Sequence, residues 1–495
     1  MIYAMVRDMN NQSIHLYNTM GREKQLFTSI EPGKATMYHC GPTVYNYAHI
    51  GNLRAYVFAD VLRRVMDLNG YEVTQVMNIT DIGHLVGDGD AGDDKMTKAL
   101  VREGMELTLE NMLKIGEKYT EAFLEDLNKL NIQKPHHLPR ASDHIKEDID
   151  IIEELFKKDL AYKTSDGLYF DTQKDPEYGK LRGESHDHDD GHARLGENSE
   201  KKHPYDFALW KFDNEKGWES PWGQGFPGWH IECSGMSMRY LGKHFDIHTG
   251  GIDHIPVHHT NEIAQSENAY EGAKVNYWMH NNFLNLSSGK MAKSGEGFIT
   301  LRTVIEKGIH PLAYRYLLLQ SHYRSEVAFS WESLEAAQKG LMSLHEKMQS
   351  FGEFGVPDPE KLKDTQYLQT SYIKNIEGAF NDDLNTAKAL GELHSMFKDS
   401  EIPDAQKFQI AVFADLVLDL GLANRNIYLE LQALDTNSAS IPMDALPDNI
   451  QYIVKKRKQA RENKDWKKSD ELRDELASKG YEIKDGEDGQ EIFGK

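Results

Sequence analysis

Residues 35–81 read ATMYHCGPTVYNYAHIGNLRAYVFADVLRRVMDLNGYEVTQVMNITD, and this stretch decides the fold. Ala35–Cys40 is an apolar, β-prone run stopped by Gly41-Pro42. From Tyr56 to Leu68 the apolar residues Val57, Phe58, Val61, Leu62 and Met66 recur at helical spacing, and Gly70 lies just past the end. Tyr71–Asn78 then reads as a second strand ending in Ile79-Thr80-Asp81. Strand, helix and strand within about 45 residues make a parallel βαβ unit and an α/β fold. In such sheets ligands sit beyond the carboxyl ends of the strands, where Cys40 and Thr80 fall.

Outward from this unit, Ile14–Asn18 reads as an earlier strand, and Leu107–Leu130 and His144–Lys158 as helices. From about Pro135 to Trp222 the chain is polar and loop-rich, with short strands such as Leu168–Phe170, and looks inserted. Parallel-sheet character returns at His244–His248 and Val275–His280, so the first domain is expected to be discontinuous. After Ser330 the pattern is helical near Leu334–Met348, Tyr372–Ala379 and Thr386–Phe397, until a Pro-containing link at Ser438–Pro447 precedes a small end module. The length of 495 residues itself predicts about three to five domains with several cores.

Composition narrows the function classes. Hydrophobic residues at 39% exclude global disorder. Apolar runs such as Ala55–Ala59 fall far short of the roughly 18–20 residues of a membrane span. The first residues lack the basic-then-apolar pattern of a secretory signal, so a reducing cytoplasm is the expected address. Two cysteines cannot build a disulfide framework in a chain this long. The formal charge of −22 argues against nucleic-acid binding through net charge. A local exception is Lys455–Lys468, with eight Lys or Arg against two acids, a net of +6 that also reads as a solvated helix face.

Several groups of residues carry chemistry. His49-Ile50-Gly51-Asn52 lies between the first strand of the βαβ unit and its helix, where backbone N–H groups favour phosphate oxygens. About 240 residues on, Ser287-Ser288-Gly289-Lys290-Met291-Ala292-Lys293-Ser294 carries two compact positive charges suited to a triphosphate losing pyrophosphate. If 257–269 is helical, His258 and Glu262 are i and i+4 and share a face. With Cys40 and Cys233 they make two thiolates, one imidazole and one carboxylate, a donor set that suits tetrahedral Zn2+. The same residues also read as buried apolar cysteines and a core histidine. His259 points about 100° away from His258 and is the weaker ligand candidate. Gly87–Asp94 resembles a calcium loop but has Gly92 and Asp93 at the fifth and sixth positions, where an oxygen donor and then glycine are needed. His186–His192 reads as a solvated loop rather than a metal grip.

With these segments in view, the sequence resembles the cysteinyl-tRNA synthetases among the class I aminoacyl-tRNA synthetases. The likeness runs through Leu16–Thr19, Cys40–Tyr45, Asn78–Asp81, Asp206–Lys211, Gly228–Ser234, His258–Gln265 and Ser321–Ser325 to the C-terminal tail. HIGN and KMAKS stand for the family's HIGH and KMSKS motifs, with Asn52 and Ala292 as departures; Lys290, Lys293 and Ser294 remain. The resemblance implies a Rossmann-like catalytic domain (14–135 and 223–287), an inserted connective domain (136–222), a KMSKS-type loop and stem-contact region (288–335), a helical bundle (336–437) and an anticodon-binding domain (438–495). It implies cysteine, ATP and tRNA(Cys) as substrates, a monomer, Mg2+ accompanying ATP, and a zinc held by Cys40, Cys233, His258 and Glu262 that binds the substrate sulfur. Thr80 and Trp229 match positions lining the amino-acid pocket, and Arg461, Trp466, Asp470 and Asp485 match positions that read anticodon bases. Gly250, Gly251 and Asp253, after the returning strand, are placed to approach adenosine. Gly83–Gly92 is an insertion relative to many members. Two other readings are a cysteine:amino-sugar ligase of related fold, which would lack the anticodon module, and a silent zinc-containing RNA-binding paralogue.

Overall fold

The computed structural model describes residues 13–83, 95–183, 200–214, 216–286, 298–352, 370–438, 443, 446–486 and 489–494. β1 (His15–Asn18) and β2 (Glu23–Leu26) form an antiparallel hairpin, so the first strand pairs locally rather than with Ala35–Cys40. The exposed, charged Glu23–Leu26 carries no apolar alternation to announce a strand; pairing with β1 supplies it.

β3 (Lys34–His39), α1 (Ile50–Leu68) and β4 (Glu72–Met77) are the expected βαβ unit, with β3 and β4 parallel from Lys34↔Glu72 to His39↔Met77. The helix begins six residues before the apolar pattern does. Its first turn is announced by a cap instead: the His49 side chain accepts from the Asn52 amide at 3.1 Å, and the Asn52 side chain accepts from the His49 amide at 3.3 Å. At Gly41 the segments leaving β3 and β4 come so close that a Cβ would stand 1.7 Å from the Asn78 carbonyl oxygen. Glycine alone fits there.

α2 (Lys95–Arg102) and α3 (Leu109–Lys129) follow, then α4 (Ile145–Lys157). β5 (Ala161–Lys163), β6 (Gly167–Phe170), β7 (Phe207–Phe212) and β8 (Gly225–Pro227) form a four-stranded antiparallel sheet, more regular than the polar, loop-rich sequence foretold. After α5 (Ile231–Leu241), the strand β9 (His244–Gly251) joins the parallel sheet against β3, α6 (His258–Ala269) crosses over, and β10 (Lys274–Asn281) pairs outside β9. The strand order β10-β9-β3-β4 puts a topological switch between β3 and β9, and a crevice at their carboxyl ends. Asn18 clips the first hairpin to the edge strand, donating to the Asn276 carbonyl at 2.8 Å and accepting from the Trp278 amide at 3.0 Å.

β11 (Leu284–Leu286) pairs in parallel with β12 (Val327–Phe329), between which lie α7 (Leu301–Glu306) and α8 (Pro311–Leu319). The helices α9 (Trp331–Ser350), α10 (Ser371–Asn381), α11 (Thr386–Lys398), α12 (Asp404–Leu418) and α13 (Arg425–Ser438) come next, as the amphipathic pattern requires. Among the described residues the expected separate cores are one large cluster, a small one in the C-terminal module and a patch of three side chains. Most large buried apolar side chains described from Ile14 to Leu431 form one continuous cluster, because α1 and α8 are buried nearly all round and join sheet to helices, while Leu181, Ile263 and Trp278 make the small separate patch. The end module, α14 (Asp448–Glu462), α15 (Trp466–Ser478) and the hairpin β13 (Tyr481–Gly486) and β14 (Gly489–Gly494), has its own small core of Leu446, Ile450, Ile453, Val454, Leu472, Leu476, Ile483 and Ile492.

Candidate active site and metal centre

Cys40 directly follows β3, and its amide donates to the Thr249 carbonyl of the neighbouring β9 at 3.2 Å, which sets it beside Gly250. Cys233 lies in the first turn of α5, and His258 and Glu262 on the first two turns of α6, both facing the same crevice. One ligand atom from each of Cys40, Cys233, His258 and Glu262 lies within 4.8 Å of every other. This cluster, drawn from three elements and 222 positions of sequence, can hold a metal ion.

Its electrostatics fit that use. The thiol hydrogen bond from Cys40 pulls Cys233 down to about 6, whereas burial pushes Cys40 well up, so the pair holds one thiol and one thiolate near neutrality. Burial works against a charge on His258, yet Glu262 and Cys233 outweigh it and raise the imidazole to about 10. Burial likewise opposes the Glu262 charge, but His248 and His258 hold the carboxyl well below its usual range. A thiolate and a carboxylate are thus packed against an imidazolium and a neutral thiol, and a tetrahedral cation would take the place of the protons on the latter two.

A second grouping shares two of these residues: Cys40, His248, His259 and Glu262 also lie mutually within 4.8 Å. His259 is therefore not the remote neighbour that its helical phase implies. The end of β3 lies on its side of α6, bringing Nε2 to 3.2 Å from Cys40 Sγ, while Nδ1 meets His280 Nε2 at 2.7 Å. His280 in turn meets the Thr19 hydroxyl at 2.7 Å. His248 donates to Glu262 Oε2 at 2.8 Å and stacks on Trp278. His248 and His280, one on each strand, went unremarked in the sequence because strand alternation only says they point to one face; the match of β9 and β10 to α6 says which.

The predicted substrate-pocket residues border this cluster. The Trp229 ring lies 4.7 Å from that of His258 and 5.2 Å from that of His230. Thr80 is buried, accepts from Asn78 Nδ2 at 3.1 Å and donates to Glu232 Oε2 at 3.0 Å. Burial, reinforced by Asp148, pushes the Glu232 carboxyl well up.

His49, Gly51 and Asn52 form the cap and first turn of α1, and burial lowers the His49 imidazole, which keeps it neutral. With Nδ1 spent on the cap, Nε2 is the atom His49 offers a ligand, and Asn52 offers its Nδ2. Gly250 and Gly251 end β9, and Asp253 lies in the single turn that follows. A Cβ on Gly250 would meet His254 Nδ1 at 2.6 Å and His259 Cε1 at 2.7 Å, so this glycine is set by histidine packing as much as by any ligand. Lys290, Lys293 and Ser294 lie outside the described residues, as do Gly87–Asp94 and His186–His192. Phe298, the first described residue beyond 287–297, packs its ring edge-on to His49 at 5.9 Å.

In the end module, the Arg461 guanidinium sits 5.4 Å from the exposed Trp466 ring centre, and Asp470 shares the Trp466 face of α15 one turn on. Asp485 is engaged already: Arg457 bonds both carboxylate oxygens at 2.9 Å, and Arg461 reaches one at 3.0 Å. The Arg457 hydrogen bonds hold this carboxyl below its usual range.

Comparison with known proteins gives the family and the fold. Residues 26–339 match the family profile of the class I (C) tRNA synthetase catalytic domain, and residues 443–492 that of the cysteinyl-tRNA ligase anticodon binding domain. The cysteine–tRNA ligase of Treponema denticola is 42% identical over 96% of this chain and 98% of its own length. Cysteine–tRNA ligase 1 of Burkholderia lata is 42% identical over 97% of this chain and 96% of its own. Among solved structures, a Mycobacterium tuberculosis methionyl-tRNA synthetase bound by methionyl-adenylate shares the fold, with a TM-score of 0.52 at 13% identity over 83% of this chain and 95% of that one. The chain, with its parallel sheet, its buried cysteine–histidine–glutamate cluster and its separate end module, belongs to the cysteinyl-tRNA synthetase family of class I enzymes.

Proposed function

We infer that the chain is an ATP-dependent cysteine–tRNA ligase, which activates L-cysteine to cysteinyl-adenylate and transfers the cysteinyl group to the 3′ end of tRNA(Cys). The observation that carries this reading is the buried set of two cysteines, His258 and Glu262 at the switch point of the sheet. Cysteine and serine are nearly isosteric, and a pocket built on size separates such pairs weakly. Cys40, Cys233, His258 and Glu262 would hold Zn2+, which when bound supplies a soft centre preferring a thiolate to a hydroxyl. Trp229, against His258, would wall the amino-acid pocket, and Thr80 would line its floor.

In the first step the cysteine carboxylate attacks the α-phosphorus of ATP, the bond to the β-phosphate oxygen breaks, and pyrophosphate leaves. No covalent enzyme intermediate is needed, so positioning and charge stabilisation carry the rate. Neutral His49 donates from Nε2 and Asn52 from Nδ2 at the start of α1, where free amides and the helix dipole favour phosphate. Gly250, Gly251 and Asp253 would border adenosine, and Lys290, Lys293 and Ser294 would meet the leaving phosphates, with Mg2+ accompanying ATP. In the second step a ribose hydroxyl of the terminal nucleotide attacks the adenylate carbonyl and AMP leaves. Trp466, Arg461 and Asp470 would engage anticodon bases by stacking and hydrogen bonds, with Asp485 ordering the arginines. The match of residues 443–492 to an anticodon binding domain favours this over an amino-sugar ligase.

Cysteine-dependent ATP–pyrophosphate exchange, with serine as competitor and before and after chelation, tests the reading. Cys233→Ser is expected to lower metal content and to cut the cysteine-over-serine ratio of kcat/KM by more than ~100-fold. Exchange that is indifferent to proven metal removal would overturn the zinc assignment.

A further inference from the structure

Arg54 lies on α1, one turn beyond Ile50, and is 4% exposed. Among the described residues no carboxylate forms a direct ion pair with it, Glu326 acting only at longer range. Its guanidinium donates instead to three main-chain carbonyls, Nη1 to Phe283 and Nη2 to Tyr323, at 3.1 Å, and to Ser325. Burial lowers it to about 10, so it stays charged at neutral pH. A buried cation spent on carbonyls alone is costly, and its planar fork ties together backbone segments that no other side chain would bridge in the same way.

Those segments are the approaches to two paired strands. Phe283 immediately precedes β11, and Tyr323–Ser325 precedes β12, with Leu284 opposite Val327. Asn282 stitches the two approaches together, its amide donating to the Tyr323 carbonyl at 2.9 Å and its Nδ2 to the Arg324 carbonyl at 3.0 Å. β11 leads into residues 287–297, and the chain re-emerges at Phe298 against His49, where the Ile50 amide donates to the Ile299 carbonyl at 2.8 Å. Both flanks of 287–297 are therefore fastened to the first turns of one helix, the entry through Arg54 and the exit through Ile50.

We propose that Arg54 is a positioning residue for adenylate formation, which holds the strand leading to the two-lysine segment in register with the His49–Asn52 cap. The inference rests on the reading that these two motifs share one triphosphate. Their separation then decides whether both reach the transferring phosphoryl group, and a 1 Å error costs on the order of 100-fold in rate. Asn282 keeps the strand pair intact when Arg54 is changed, so the pair would drift from α1 without unfolding.

The test is steady-state cysteine-dependent ATP–pyrophosphate exchange on the zinc-loaded full chain, for wild type, Arg54→Met and Arg54→Lys, with Tm measured alongside. Arg54→Met is expected to lose on the order of 100-fold in kcat with the KM for cysteine within about twofold, and Arg54→Lys to recover part of that loss through one or two carbonyls. A merely structural role would instead lower active fraction and Tm together and leave kcat per active site unchanged. Wild-type kcat in Arg54→Met overturns the proposal. Should that variant fail to fold, Arg54→Lys decides: full kcat overturns the proposal, and reduced kcat at unmoved cysteine KM upholds it. No exchange in the wild type overturns the functional reading and the Arg54 role with it, whereas normal wild-type exchange with indifferent variants overturns the Arg54 role alone.

Discussion

Proton inventory is the sharpest handle on the four donors. Before a cation enters, His258 at about 10 and Cys40, pushed well up by burial, both hold protons at neutral pH, whereas Cys233 at about 6 has lost its own. Ligands must be deprotonated, so loading releases about two protons between pH 6 and 9 and about three below pH 6. Metal affinity is therefore expected to rise roughly 100-fold per pH unit over that range, and more steeply in acid. Calorimetric zinc titrations in buffers of differing ionisation enthalpy would read the count directly, and a pH-independent affinity would contradict it. Gly41 gives a second expectation. Gly41→Ala drives a methyl into the Asn78 carbonyl oxygen, backbone that cannot yield without parting β3 from β4. A loss of about 2–4 kcal/mol in urea unfolding is expected, together with reduced metal uptake because Cys40 moves with it.

Between elements, α1 is held to its neighbours by charge as well as by packing. Asp60 of α1 and Arg315 of α8 are both fully buried and meet at 2.6 Å, Arg64 adds a contact to Asp60 at 2.8 Å, and Arg315 also caps the Leu418 carbonyl at 2.7 Å. Asp60→Ala leaves Arg315 buried without its partner and is expected to cost about 3–5 kcal/mol, measured by denaturant unfolding. Burial alone would raise Asp60, but Arg315 and Arg64 hold it below 3.8. Its contribution is thus in place above the unfolded value and is lost as pH falls through the lower folded one. Asp415 has the opposite sign: burial, with Asp419 beside it, pushes it up to about 7, so its contribution is in place below 3.8 and lost as pH rises to about 7. Asp415→Asn should flatten stability between pH 4 and 7 and leave the acid limb unchanged. That limb belongs to carboxylates such as Asp60.

At the scale of the whole molecule, the large core and the separate core of the end module set the pattern of unfolding. The end module buries eight sizeable apolar residues of its own, a small core with modest stability, whereas most of the described core from Ile14 to Leu431 is one continuous cluster. Calorimetry is expected to resolve a minor, earlier transition that disappears when residues 439–495 are removed, leaving the main one in place. Within that module Trp466 presents an exposed face beside Arg461. Trp466→Ala is expected to lower kcat/KM for tRNA about 10–100-fold, the worth of one stacked base, and a much smaller effect in aminoacylation assays would remove Trp466 from the interface.

Neighbouring residues along the chain specify the local parts. Periodicity in Val57–Met66 made a helix, Gly41-Pro42 ended a strand, and the i, i+4 spacing of His258 and Glu262 put two donors on one face, because each depends only on neighbours along the chain. The phosphate-binding roles proposed for HIGN and KMAKS come from their resemblance to known motifs rather than from spacing. What those parts meet depends on how the chain packs. Tertiary packing joined Cys40 to a cysteine 193 positions away, turned His259 from bystander to neighbour of that thiol, and gave Arg54 its three carbonyls. It also recruited Glu23–Leu26 into a hairpin and began α1 at a cap rather than at its apolar stripe. The physical reason is common to all of these: which strand end faces which helix turn is fixed by sheet order and crossover packing, and no stretch of sequence encodes its partner's side of the crevice.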